Sequence, residues 1–252
     1  MSSFLNIFST IGEFAHFAWQ ALVSAVAAIA RPTAWLQQLY AVLIGALPLG
    51  TVAGIALGAV VWMHTHAALA RTGAVDYLPT VLAAAVLLEL APIGAGLIVA
   101  ARTGASLGAE LGAMKLGEQL DALELLGLPP MRVLVGPRVL ACIIALPLLH
   151  VYIAALALLS GFVAENIVGH TNWLKFQTAS LKELYPRDVI PAALKTAVFG
   201  FLIGVAGCYH GVRAGGGTEG VGRAATAGVV ASSLLVLAAD VLLVAIIHVI
   251  VG

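Results

Sequence analysis

Five apolar stretches, each long enough to cross a bilayer, constrain this 252-residue chain more than any other feature. The first runs from about Tyr40 to Trp62. At about 1.5 Å per residue it measures roughly 33 Å, enough for the hydrocarbon core with an aromatic anchor at each interface. The second begins near Leu78 and continues past Arg102, and the third covers about Arg138 to Gly161. The fourth and fifth span about Val189 to Gly211 and Ala224 to Val251. Between them lie polar segments: His64 to Asp76, Met114 to Arg132, Glu165 to Asp188, and a short loop with Arg213, Gly215, Gly216, Gly217 and Arg223. With 62% hydrophobic and 10% charged residues, a soluble fold of this length could not cover its apolar surface. A soluble enzyme, a disordered chain and a disulfide scaffold are therefore excluded. Lys+Arg and Asp+Glu balance at 12 each, which leaves no basic surface for nucleic acid. Cys142 and Cys208 lie inside apolar runs and read as small apolar filler.

Residues 1–31 differ from the rest. Asn6, Ser9, Glu13, His16, Gln20 and Ser24 recur at helical spacing, and Phe4, Phe8, Ile11, Ala15, Ala18 and Leu22 fill the opposite stripe. That pattern predicts an amphipathic helix lying in the membrane interface, ended by Arg31-Pro32; a sixth span is the alternative. No Lys or Arg precedes the apolar part, unlike a signal peptide. The expected architecture is all-α and polytopic: this helix, then a permease domain over 32–252 with five spans and a short cytoplasmic coupling helix at about 115–127. Arg31, Lys115, Arg132, Arg138, Arg213 and Arg223 fall on one side, and Arg71, Lys175, Lys182 and Arg187 on the other. The excess of cations puts the first group, with the N-terminus, in the cytoplasm and the C-terminus outside.

Small residues recur every fourth position: Gly50, Gly54 and Gly58; Gly96, Ala100, Gly104, Gly108 and Gly112; Gly200 and Gly204. Such stripes let membrane helices approach backbone to backbone. Charges inside spans are the second signal. Glu89, Arg102, Glu110, Lys195 and Asp240 all sit in apolar surroundings. Each costs about 2.5–3.5 kcal/mol to insert, so each is expected to face a partner or a wet cavity. Glu89, Arg102 and Asp240 are the candidates for lipid binding or translocation. Arg102 suits a phosphate because its guanidinium offers a fork of donors. Glu89 is then a switch, or a partner for a backbone donor freed near Pro92. Snorkelling by Arg102 and Glu110, and a plain helix–helix link through Asp240, remain as alternatives.

The segment Glu118–Gly127 reads as a brief amphipathic helix, with Glu118, Asp121 and Glu124 near one face beside Leu120, Leu123 and Leu126. Gly127 and Pro129-Pro130 stop it. An acidic helix between two spans suits the docking of a soluble subunit; an ordinary solvated helix is the alternative. The sequence has no P-loop, metal-spaced His/Cys cluster or nucleophile elbow, so neither a metal nor a cofactor is expected on this chain.

Several of these segments together resemble the MlaE family of ABC-transporter permeases. They are Leu88-Glu89-Leu90-Ala91-Pro92, Ala101-Arg102-Thr103-Gly104-Ala105, Ala109 to Met114, Glu118 to Leu123, Gly136-Pro137-Arg138-Val139-Leu140 and Gly222 to Thr226, with Ser232-Ser233 and Asp240 beyond them. The resemblance covers about residues 32–250. It implies a homodimer in the inner membrane that moves phospholipid or a related lipid to or from an Mce-domain carrier. ATP and Mg would be bound by a separate cytoplasmic ATPase docked on Glu118–Leu126, with room for a small accessory subunit. The competing readings are an ion-coupled secondary transporter using Glu89 and Asp240, and a membrane scaffold.

Overall fold

The computed structural model describes residues 2–169, 171–182 and 184–251, with side chains for 9–169, 171–182 and 184–249. Its elements are α1 (Ser2–Ala28), α2 (Pro32–Thr72), α3 (Val75–Leu116), α4 (Gln119–Leu125), α5 (Met131–Gly169), α6 (Trp173–Lys182), α7 (Pro186–Val212) and α8 (Gly217–Val251). No strand occurs among the described residues. α2, α3, α5, α7 and α8 are each long and apolar enough to cross a membrane, which establishes the all-α polytopic class and its five spans. The residues group into two compact units. The first holds 1–45, 99–145 and 198–237, and the second holds 46–98, 146–197 and 238–252.

Hydropathy places the spans but not their ends. α2 runs for 41 residues, so His64, His66 and Arg71 lie on its last turns and not in a loop. Nothing stops the helix before Gly73, whose φ of +71° closes a C-terminal cap. There the Ala74 N–H bonds the Leu69 carbonyl and the Gly73 N–H the Ala70 carbonyl. That left-handed cap is nearly free for glycine and costly for other residues. Gly127, at φ +74°, ends α4 in the same way. α1 stops at Ala28, three residues before the expected Arg31-Pro32 break, and Pro32 opens α2.

The segment from Glu165 to Asp188 is less of a loop than its polarity suggests. Glu165 is only 3% exposed within α5. It accepts a 2.8 Å hydrogen bond from Trp62 Nε1 and lies 3.3 Å from His66 Nδ1, both on α2. The segment also contains α6. Phe176 and Ser180, four residues apart, are buried, and Thr80 Oγ1 donates to the Ala179 carbonyl at 2.9 Å. Burial of one face stabilises a ten-residue helix that would be marginal alone. Arg223 likewise sits on α8, paired with Glu219 one turn earlier, after Gly216 and Gly217 turn the chain with φ of +86° and +72°.

The small-residue stripes lie where backbones meet. In the second unit, a Cβ on Gly54 would come within 2.9 Å of the Ile153 carbonyl, and one on Gly58 would overlap that of Ala157. In the first unit, a Cβ on Gly104 would stand 3.0 Å from Ser232 Oγ, and one on Gly108 would stand 2.6 Å from the Ala224 carbonyl. A Cβ on Gly112 would lie 3.1 Å from that of Ala214, and Gly96 is buried in the second unit. Gly200 is closed off by the Cys142 carbonyl. Cys142 and Cys208 are free, fully buried thiols.

Gly108→Ala should therefore lower the thermal stability of the detergent-solubilised protein by about 1–3 kcal/mol, the usual cost of overpacking. Gly215→Ala, with open space around it, should change it by less than about 0.5 kcal/mol. Equal melting shifts for the two would show that α3 does not rely on this contact.

Candidate functional site

The path to the site begins with Pro92. Residues Ala85–Leu90 of α3 form a π turn, and the Ala91 N–H reaches back five residues to the Val86 carbonyl. In that register the next donor should serve Leu87, but the next residue is Pro92, which has none. Proline thus frees an acceptor, the Leu87 carbonyl, and not the donor expected for Glu89. His150 on α5 supplies the missing partner: its Nε2 lies 3.1 Å from the Leu87 oxygen and donates to it, which fixes the ring tautomer. An unpaired carbonyl in an apolar interior costs roughly 1–3 kcal/mol, so this bond pins the widened turn in place. π turns are frequent at functional sites, and this one carries Glu89.

Glu89 meets Lys195 of α7, with Oε2 and Nζ 2.8 Å apart. On the other side, the same ammonium stands 3.1 Å from Asp240 Oδ1 of α8. The Asp240 contact is an ion pair without hydrogen-bond alignment, since Oδ1 is buried with no hydrogen-bond partner. Lys195 is 2% exposed, the Asp240 side chain 11% and the Glu89 side chain 42%. Desolvating each ion costs several kcal/mol, and only their mutual attraction makes the burial tolerable. Glu89 and Asp240, both candidates from sequence, are therefore brought together through a lysine that sequence reasoning flagged as an intramembrane charge but did not place in the site. The available signal was that a cation deep in an apolar span needs a counter-charge, and Glu89 and Asp240 are two of the three carboxylates in comparable surroundings.

Beside this triad lies a cavity of about 170 Å³, lined by Glu89, Asp188, Ala192, Lys195, Val244 and His248 among others. That space is enough for a polar head group.

Arg102 belongs to the other unit. It sits in a second π turn, Ala100–Gly104, with its guanidinium in the space left by the absent side chain of Gly45. Arg102 makes no ion pair among the described residues and lines a cavity of about 180 Å³ with Gln38, Thr103, Ser106 and Glu110. Glu110 accepts from Ser106 Oγ at 2.7 Å and lies 3.4 Å from Arg138 Nη2. At α4, Glu118 adopts a left-handed φ of +55°, and Asp121 bonds Lys115 at 2.7 Å. Glu124 is exposed, and so are the leucines behind it, Leu125 at 90% and Leu126 at 74%.

Spanning helices, a buried ion triad and a head-group-sized cavity define a membrane transport protein. Residues 35–246 match the family described as permease MlaE. A probable ABC transporter permease protein of Rickettsia felis is 35% identical over 238 residues, 93% of this chain and 90% of that one. The intermembrane phospholipid transport system permease protein MlaE of Haemophilus influenzae is 28% identical over 217 residues, 84% and 81% of the two chains. The chloroplastic protein trigalactosyldiacylglycerol 1 of Arabidopsis thaliana is 36% identical over 163 residues, 65% of this chain and 47% of that one. The chain belongs to the MlaE permease family. It is a permease, as expected, and not an enzyme.

Two stability effects arise from the site. Lys195→Met strands two carboxylates and should destabilise the protein by about 3–5 kcal/mol. Adding Glu89→Gln and Asp240→Asn should recover most of that loss in thermal unfolding, and no recovery would show that the ions do not act as a unit. His150→Leu should cost about 1–3 kcal/mol by orphaning the Leu87 carbonyl, read in the same assay; an unchanged melting temperature would mean another group takes the histidine's place.

Proposed function

We propose that this chain is the membrane subunit of an ABC transporter that moves phospholipid or a closely related lipid. The carrying observation is the Glu89–Lys195–Asp240 triad, of which Glu89 and Lys195 line a head-group-sized cavity. A lipid needs apolar surroundings for its chains and a polar anchor for its head, and a buried ionic wall in an apolar helix bundle supplies both. The names of the Rickettsia and Haemophilus relatives support the reading.

The chain works as a homodimer in the inner membrane, with its N-terminus in the cytoplasm and its C-terminus outside, and exchanges lipid with an Mce-domain protein. α8 supports the dimer: Val230, Leu234 and Leu237 are all exposed at helical spacing, an apolar face that a second copy would cover. ATP and Mg reside on a separate ATPase, which docks on α4. Leu125 and Leu126 give that contact its apolar centre, with Glu118, Asp121 and Glu124 at the charged rim. Arg102, without an acidic partner among the described residues, offers a phosphate contact in its own cavity.

Affinity purification of the tagged protein should recover an ATPase and bound phospholipid. Leu125→Ser with Leu126→Ser should release the ATPase, and Glu118→Arg with Asp121→Arg should weaken it, with membrane insertion intact. Full retention by both variants would remove α4 as the docking point. Arg102→Ala should reduce the phospholipid measured by mass spectrometry more than it lowers the melting temperature, and Arg102→Lys should restore only part of it. A loss of stability with lipid unchanged would make Arg102 a structural anchor.

A further inference from the structure

The cavity beside the triad shows acid to its contents and hides its cation. Lys195 is 2% exposed, and its ammonium is engaged by Glu89 and Asp240. Glu89 keeps 42% of its side chain exposed. One of its oxygens serves Lys195, and the other has no partner among the described residues. Asp188 stands on the same wall, where, among the described residues, its Oδ2 accepts a long 3.3 Å bond from the Tyr185 N–H. The remaining lining is apolar apart from His248, which has no cationic partner. An anion entering here meets two carboxylates before it meets the buried ammonium. A cation with N–H donors meets Glu89 and Asp188, each with one oxygen that has no partner among the described residues.

We infer that this cavity selects its lipid by a primary ammonium on the head group, which it holds against Glu89 and Asp188. This rests on the phospholipid reading above and narrows it to amine-bearing lipids. Charge-assisted hydrogen bonds are shorter and stronger than neutral ones, and the apolar walls strengthen them by excluding water. A cavity of about 170 Å³ suits an ethanolamine head. The lipid's own phosphate, two carbons away, is kept off the acidic wall, so lipids whose head carries only negative charge gain nothing from it.

The test uses the purified complex with its ATPase, incubated in detergent with equal amounts of three dioleoyl lipids: phosphatidylethanolamine, its N-acetylated derivative and phosphatidylglycerol. Retained lipid is quantified by mass spectrometry. Phosphatidylethanolamine should be retained about tenfold over each of the others, the ratio expected of one hydrogen bond to a charged group. Asp188→Asn and Glu89→Gln should each reduce that preference, read as the ratio of phosphatidylethanolamine to phosphatidylglycerol retained. Asp188 lies outside the ion triad, so its variant reports on selectivity even if Glu89→Gln fails to fold. Equal retention of the three lipids, or a preference for phosphatidylglycerol, overturns the ammonium inference and leaves the lipid-carrier reading standing. Retention of none of them overturns both.

Discussion

Lys195 is the constraint on which much of the second unit depends. An ammonium with 2% exposure inside an apolar span is not tolerable alone, and its two carboxylates come from two other helices. The three ions therefore fix α3, α7 and α8 against one another in that unit at a specific depth and rotation. A slide of one helix by a single residue would carry its charge about 100° around the axis and break the contact. Apolar packing alone does not set register so sharply, because one leucine contact resembles the next. Whether the triad adds net stability over an apolar replacement is a separate matter from the penalty for removing one member, and it is the second that enforces the arrangement.

The helices carrying these ions are unusually adaptable in backbone. Glycine at every fourth position lets carbonyls and Cα atoms meet directly, as Gly108 of α3 does with Ala224 of α8. Close approach also leaves little tolerance for added volume. The π turns solve the opposite problem. They admit one extra residue per turn and so rotate the remainder of the helix, and the turns at Ala85–Leu90 and Ala100–Gly104 each carry a charge, Glu89 and Arg102. A π turn leaves backbone groups unsatisfied in an environment without water, and at Leu87 the repair is a histidine from another helix. His150 is thus explained by Pro92, fifty-eight residues earlier in the chain.

Much of this architecture is legible in the sequence, and the divide is physical. Five spans, the small-residue stripes and the intramembrane charges are local signals, each written within one stretch of chain. Pairing across distance is not, as with Glu89 and Lys195, 106 residues apart, or Trp62 and Glu165, 103 apart. Polarity also misleads at helix ends. His66 and Glu165 read as loop residues because each is polar, yet their mutual contact removes the reason to leave the helix. The extra helix α6 escapes a sequence reading for a related reason. Its amphipathic face makes sense only once Phe162 of α5, whose ring packs against Phe176, is in place.

Glu89 belongs both to the scaffold and to the cavity wall. One oxygen holds the lysine that ties three helices together, and the residue also lines the space where a head group would lie. Structural and functional effects of substitutions there are inseparable. A change at Glu89, Lys195 or Asp240 alters the charge presented to a ligand and also the register of the helices that form the wall. Asp188 shares the cavity without sharing the lysine, so it alters the electrostatics of the space while leaving the ionic tie intact. Arg102 is the complementary case: it makes no ion pair among the described residues, and its seat is made by a glycine. The residues that report most cleanly on ligand chemistry are therefore not those most deeply buried, but those whose charge the protein has left unsatisfied.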